Sequence, residues 1–250
     1  MTSLSPDLSI IIPAYNEERR LPSALEKIHK YLCEQGINGE VLVVDDGSAD
    51  STASIVKTWQ LKWPALRLIS NGKNRGKGFS VRHGMLESHG RIALFTDTDL
   101  SAPIEESRKL FDALKTADVA IGSRAMDRSL IAVHQSVLRE GAGIIFNGFV
   151  RFITGLSFRD TQCGFKAFIV APSRIIFEQQ RIERFGFDPE ILFLAKRHGL
   201  RAEEVPVRWA HDPATKVNVA SDSIAMFLDL IVIRWNALVG RYPKRPKEAN

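Results

Sequence analysis

The sequence predicts an α/β fold, a mostly parallel sheet flanked by helices, on three observations. Short β-branched apolar runs alternate with segments of helical period through the first half of the chain. Acidic residues at 45, 46, 97 and 99 fall where two of those runs end. The 250 residues are 44% hydrophobic and 25% charged, enough apolar content for a sizeable core. In sheets of this kind ligands bind outside the carboxyl ends of the strands, so the acids mark the candidate site.

The elements follow in order. Residues 8–12 form an apolar run closed by Pro13, a strand signal. Residues 17–34 carry Leu21, Leu25, Ile28 and Leu32 at helical spacing. Residues 41–44 are a second strand ending at Asp45-Asp46-Gly47-Ser48, after which Asp50 or Ser51 caps a helix. A strand at 66–69 leads through a Gly/Lys/Arg loop to a helix near 78–88. Strands at 92–95 and 119–121 complete this half. Beyond about residue 122 the rhythm changes: a long helix at 136–154, a strand at 163–170, a helix at 189–198 and a strand at 202–209. No repeat, low-complexity tract or linker interrupts the chain. Residues 1–220 are expected as one domain, with 221–250, an apolar helix and a basic tail, belonging to it.

Net charge is +5, from 34 Lys and Arg against 29 Asp and Glu. This mild excess suits an anionic substrate or lipid surface and does not require nucleic acid. Cys33 and Cys163 are the two cysteines, without a CxxC, which argues against a disulfide framework or zinc site and fits a reduced, cytoplasmic setting. Residues 1–7 lack the pattern of a signal peptide. No stretch offers the roughly 20 apolar residues of a bilayer-spanning helix.

Residues 94–103, LFTDTDLSAP, end an apolar run in Asp97 and Asp99. Unpaired acids are costly to bury, so something positive is expected there. A turn at the strand end brings both toward one ligand, and hard divalent cations take carboxylate oxygens while keeping room for phosphates. The plainer reading is a solvated turn. At Asp45-Asp46-Gly47-Ser48 a carboxylate accepts hydrogen bonds from a base or ribose, or caps a strand-to-helix turn. The 72–78 loop, GKNRGKG, is one residue short of a Walker A motif and lacks its Ser/Thr, so it reads as a mobile basic loop near a diphosphate. None of the six histidines forms an i,i+4 pair, and no GxSxG is present.

Taken in order, SIIIPAYNEE, VLVVDDGSADST, NRGKGFSVRHGM, FTDTDLSAP, GSR, LREGAGIIFNGFVRFITG, RDTQCGFKAF and FGFDPEILFLAKRHG resemble the family 2 glycosyltransferases. The resemblance runs from residue 8 to about 217. It is strongest to the branch of dolichyl-phosphate β-glucosyltransferases and related polyprenyl-phosphate glycosyltransferases. It implies a GT-A fold and a nucleotide-sugar donor. Pro13, Tyr15 and Glu17 would line the nucleotide pocket, and Asp46, with Asp45, would face uracil or ribose. Lys77 would lie near the diphosphate, Asp97 near the donor, and Asp99 would bind Mg²⁺ or Mn²⁺. Mannosyl members place Gln two residues after the second acid; Ser101 stands there and argues against GDP-mannose. Arg124, Arg139 and Lys216 match family positions that contact phosphate.

The implied reaction moves glucose from UDP-glucose to a polyprenyl (dolichyl or undecaprenyl) phosphate, with inversion, and Asp97, Asp99 and Arg139 as catalytic residues. The alternatives are GDP-mannose or another donor, a soluble acceptor, and a non-catalytic nucleotide-sugar-binding protein. A lipid phosphate has a second pKa of about 6, so it attacks without a strong general base. Catalysis then consists of positioning and charge neutralisation. Two segments suit a membrane acceptor. Arg139, Gly143, Asn147 and Arg151 recur every four residues beside Phe146, Phe149, Val150 and Ile153. Residues 224–239 are largely apolar, but at about 24 Å they are too short to span upright. They read either as an interfacial helix or as a core or dimer helix. Arg241, Lys244, Arg245 and Lys247 form a basic tail suited to anionic lipid. The expected location is cytoplasmic, peripherally associated with the membrane.

Overall fold

Every apolar run read as a strand enters one sheet. The computed structural model describes residues 5–134, 136–212 and 219–244. Its strands are β1 (Leu8–Ala14), β2 (Gly39–Asp45), β3 (Leu66–Ser70), β4 (Ile92–Thr96), β5 (Val119–Ser123), β6 (Ile131–Val133), β7 (Phe165–Ile169), β8 (Ala202–Pro206) and β9 (Trp209–Ala210). Seven form a sheet in the order β3-β2-β1-β4-β7-β5-β8, and β6 pairs with β9. The helices are α1 (Leu21–Glu34), α2 (Thr52–Gln60), α3 (Lys77–Leu86), α4 (Ser107–Ala113), α5 (Val137–Thr154), α6 (Val170–Gln179), α7 (Phe187–Arg197) and α8 (Val219–Leu238).

Helices cover both faces of the sheet, which is why its central strands read as continuous apolar runs rather than alternating ones. Along β1, Ile10 and Ile12 enter a cluster with Leu21, Leu25 and Ile28 of α1, while Ile11 enters the opposite cluster with Phe95, Phe168 and Phe187. This is the two-residue period of a strand buried on both sides.

One strand runs against the expectation of a parallel sheet. β7 is antiparallel to β4 and β5, between which it is inserted. Thr96 pairs with Phe165, so the residues before β7 arrive where β4 ends. The periodicity of 163–170 carries no direction, and the sequence did not reveal the reversal. Three elements were not anticipated: α4, β6 and α6. Pro172 lies in the first turn of α6, where a missing N–H is tolerated. The strand expected to run to Trp209 stops at Pro206, and Trp209 pairs instead with Ile131. α1 starts at Leu21 with Pro22 in its first turn, because Glu17 and Glu18 are held outside the helix by Thr52 and Asp50.

α8 buries Leu230 and Ile233 against the body and exposes Ile224, Leu228, Ile231 and Trp235 on the other side. Its far end is pinned by Tyr242, whose hydroxyl donates to Glu190 at 2.5 Å within the core. α5 lies against α8 through Phe149 and Phe227 and exposes Ile144, Ile145 and Phe152. The outer faces of the two helices carry the largest group of exposed apolar side chains among the described residues.

Candidate active site

The carboxyl ends of β1, β2 and β4 open on a cleft of about 470 Å³. Pro13, Tyr15 and Glu17 line it from β1, Asp46 from β2, Lys77 from α3, and Asp97 and Asp99 from the turn after β4. The Glu17 carboxylate is taken by Arg20, which donates to both oxygens at 2.6 and 2.5 Å. Arg20 also reaches Asp212 at 3.2 Å.

Asp45 and Asp46 differ in task. Asp45 is buried and accepts from the Ser48 N–H at 3.1 Å, closing its own turn; it does not line the cleft. Asp46 lines the cleft and accepts from Asn71 Nδ2 and from the N–H groups of Arg75 and Gly76 at 2.8, 3.0 and 2.8 Å. The basic loop is therefore folded around a carboxylate. Two of the amides that a phosphate-cradling loop would present are already used, a physical reason why this is no P-loop. Gly76 adopts φ 110°, a conformation open to glycine, and starts α3 so that Lys77 faces the cleft.

Lys77 answers the expectation of a positive partner for the paired acids. Its Nζ lies 2.5 Å from Asp97 Oδ1. Burial would lower the Lys77 pKa, but Asp97, Asp188 and Asp99 outweigh it and raise it. Asp99 accepts from the Ser101 N–H at 2.9 Å. Its pKa is raised, first by burial and then by the neighbouring Asp97. Gly164 makes the approach possible: a Cβ there would stand 2.1 Å from Asp97 Oδ2 and 3.0 Å from Lys77 Nζ.

A second cavity, about 250 Å³, shares Lys77, Asp97, Asp99 and Phe185 with the first and continues to Arg124 and Arg139. Arg139 and Gly143 come from α5, and Trp209 and His211 from the β9 region. Arg124 is clamped by Asp160: Nε and Nη2 donate to its two oxygens at 2.6 and 2.8 Å, and the Arg124 N–H adds a third bond at 3.0 Å. Burial would push the Asp160 carboxyl up, but Arg124 holds it down at about 2. The guanidinium keeps only Nη1 without an acceptor among the described residues. Lys216 lies outside the described residues.

Sequence reasoning missed Arg20, Asp160, Arg184, Phe185 and Asp188. Arg184 and Phe185 line the first cleft from the segment before α7. Asp160 and Asp188 stand inside quoted motifs, RDTQCGFK and FGFDPE, which were the available signal.

Paired carboxylates on a wall common to two clefts, each lined by arginines, suit an enzyme that transfers a group between two anionic substrates. Residues 9–171 match the model of glycosyl transferase family 2. The chain is 37% identical to a dolichyl-phosphate beta-glucosyltransferase of Dictyostelium discoideum, covering 93% of this chain and 75% of that one. It is 39% identical to a protein of the same description from Drosophila melanogaster, covering 96% and 78%. The chain belongs to glycosyl transferase family 2 and is a glycosyltransferase.

Solved structures agree on the fold. Glucosyl-3-phosphoglycerate synthase of Mycobacterium tuberculosis, in complex with Mn²⁺, UDP and glucosyl-3-phosphoglycerate, matches with a TM-score of 0.63 at 17% identity, covering 97% of this chain and 82% of that one. A mannosyltransferase of Pyrobaculum calidifontis in complex with GDP-Man and Mn²⁺ matches with a TM-score of 0.57 at 19% identity, covering 95% and 65%. The GT-A fold implied by the sequence resemblance is the fold of this chain.

Proposed function

We propose that this protein transfers glucose from UDP-glucose to the phosphate of a dolichyl or other polyprenyl phosphate, with inversion at the anomeric carbon. The observation that carries the reading is the shared wall of Lys77, Asp97 and Asp99 between a cleft large enough for a nucleotide and a cavity bearing Arg124 and Arg139. The relatives' names supply glucose and dolichyl phosphate.

In this reading Pro13, Tyr15 and Glu17 border the nucleotide, with Asp46 shaping its pocket through the 71–76 loop. Lys77 neutralises the diphosphate. Arg139 and the remaining edge of Arg124 orient the lipid phosphate. The acceptor phosphate is itself the nucleophile, so no residue has to remove a proton from it. Asp97 and Asp99 fit a divalent ion such as Mg²⁺ or Mn²⁺. Among the described residues no set of three or more His, Cys, Asp or Glu closes around one ion. Two carboxylates suit an ion that takes its other ligands from the donor diphosphate and water, with Asp99 as the principal protein ligand. When bound, it would stabilise the negative charge on the leaving diphosphate.

The lipid acceptor places the work at a membrane surface. No described helix is long and apolar enough to cross a bilayer. The exposed apolar faces of α5 and α8 adjoin the second cavity, which Gly143 and Met226 of the same helices line. A surface that buries those faces sets the acceptor phosphate beside Arg139.

The test is a labelled-donor panel of UDP-glucose, UDP-galactose and GDP-mannose against dolichyl and undecaprenyl phosphate, with and without EDTA. UDP-glucose should lead, EDTA should stop transfer, and Asp99→Asn should remove most turnover while leaving the thermal melt intact. Turnover of a soluble acceptor alone would refute the lipid assignment.

A further inference from the structure

Gly76 and Gly78, in the loop that falls one residue short of a Walker A motif, make room for a second segment of the chain. A Cβ at Gly76 would stand 2.5 Å from the Glu183 carbonyl oxygen and 3.1 Å from Arg184 Cγ. One at Gly78 would stand 2.7 and 2.8 Å from the carbonyl oxygens of Ile182 and Arg184. Residues 182–184 therefore lie directly on the start of α3. They are held there from both sides. The Phe79 N–H donates to the Glu183 carbonyl at 2.9 Å, and Arg75 pairs with the Glu183 carboxylate. The N–H groups of Arg181 and Ile182 donate to buried Glu190 at 2.9 and 2.8 Å.

What this platform carries is Arg184. Its side chain lines the first cleft and makes no hydrogen bond or ion pair among the described residues. The other two cations of that cleft are engaged: Arg20 with Glu17 and Asp212, and Lys77 with Asp97. The cleft also holds Asp46 and Asp99, so its carboxylates outnumber its cations by four to three. A diphosphate adds more negative charge and calls for a guanidinium with donors to spare. An arginine whose backbone is already fixed loses less freedom on binding than one on a mobile loop. An arginine that served only solubility would need no such platform.

We propose that Arg184 binds the diphosphate of the sugar nucleotide together with Lys77, and that Gly76 and Gly78 serve to bring it there. Its charge then offsets the charge that develops on the diphosphate as the glycosyl bond breaks. The inference rests on the nucleotide-sugar reading given under Proposed function.

The experiment titrates uridine, UMP and UDP into wild type, Arg184→Met and Arg184→Lys by calorimetry, with Mg²⁺ and with EDTA. Methionine keeps an apolar stem against Gly76 and removes the charge. Loss of a charge-assisted contact predicts UDP affinity about 10- to 100-fold lower in Arg184→Met under both conditions, with uridine affinity and the thermal melt unchanged. Arg184→Lys should recover part of the loss, because it restores the charge without the planar fork. UDP affinity within about threefold of wild type in Arg184→Met would overturn the proposal. An equal loss for uridine would also overturn it and make Arg184 a support of the nucleoside pocket. Wild type that binds neither UMP nor UDP refutes the uridine donor reading instead, and the same series is then run with guanosine, GMP and GDP. Binding of no nucleoside diphosphate overturns both.

Discussion

Gly164→Ala isolates the contact on which the site depends. The new methyl would stand 2.1 Å from Asp97 Oδ2, whereas ordinary contact begins near 3.4 Å, so the carboxylate must retreat by about 1.3 Å. Lys77 Nζ, 3.0 Å from the same point, must yield with it. Gly164 is not in the left-handed region, so the backbone itself accepts alanine. The Asp97 side chain is 35% exposed and has solvent to move into, which keeps the folding cost near about 1 kcal/mol, the low end for overpacking. At this chain length that is a Tm loss of about 2–4 °C. Catalysis is less forgiving, because a displacement of about 1 Å costs about 100-fold, or about 2.7 kcal/mol in the barrier. Initial rates of glucosyl transfer at saturating lipid, alongside a circular-dichroism melt, separate the two effects. Gly141→Ala, where the added methyl meets nothing within 4 Å, is the silent control. A Gly164→Ala enzyme within twofold of wild-type kcat/KM would refute the claim that the Lys77–Asp97 geometry matters.

Three further outcomes are expected. Burial raises the Asp229 pKa to about 6, so between about pH 4 and 6 the folded state holds a proton that the unfolded state has lost, and stability falls as pH rises through that window. Asp229→Asn should remove the slope and, discounted for the side chain's partial exposure, add about 1 kcal/mol at pH 7; equal melts at pH 4 and pH 7 in wild type would contradict this. Tyr242→Phe deprives buried Glu190 of a donor and Asn236 of an acceptor, and should cost about 1.5–3 kcal/mol in urea unfolding while sparing donor affinity. Phe152, 88% exposed, and Trp235, 59% exposed, lie on the outer faces of α5 and α8. Serine at either position should weaken vesicle cosedimentation by about 10-fold or more, at about 1.5–3 kcal/mol per large apolar side chain, and the loss should persist at high salt; undiminished binding would place the contact elsewhere.

Local pattern determined much of this protein. Short apolar runs placed seven strands and the 3.6-residue period most helices, because both signals are carried by neighbouring residues and need no distant partner. The acids after β2 and β4 were legible because strand ends in an α/β sheet face ligands, and the ordered motifs pointed to the family before any contact was known. Tertiary structure decided the rest. Nothing local says that β7 runs backwards between β4 and β5, yet that reversal brings Gly164 against Asp97 and sets Asp160 against Arg124. The occupancy of each functional group was equally invisible: Glu17 is held by Arg20, Asp46 by the 71–76 loop, and Asp188 by Lys166. The last two pairings join segments distant in sequence, and a charged residue's type is the same whether it meets a ligand or another side chain. Only packing, which fixes the distances that Coulomb and hydrogen-bond energies depend on, distinguishes the two.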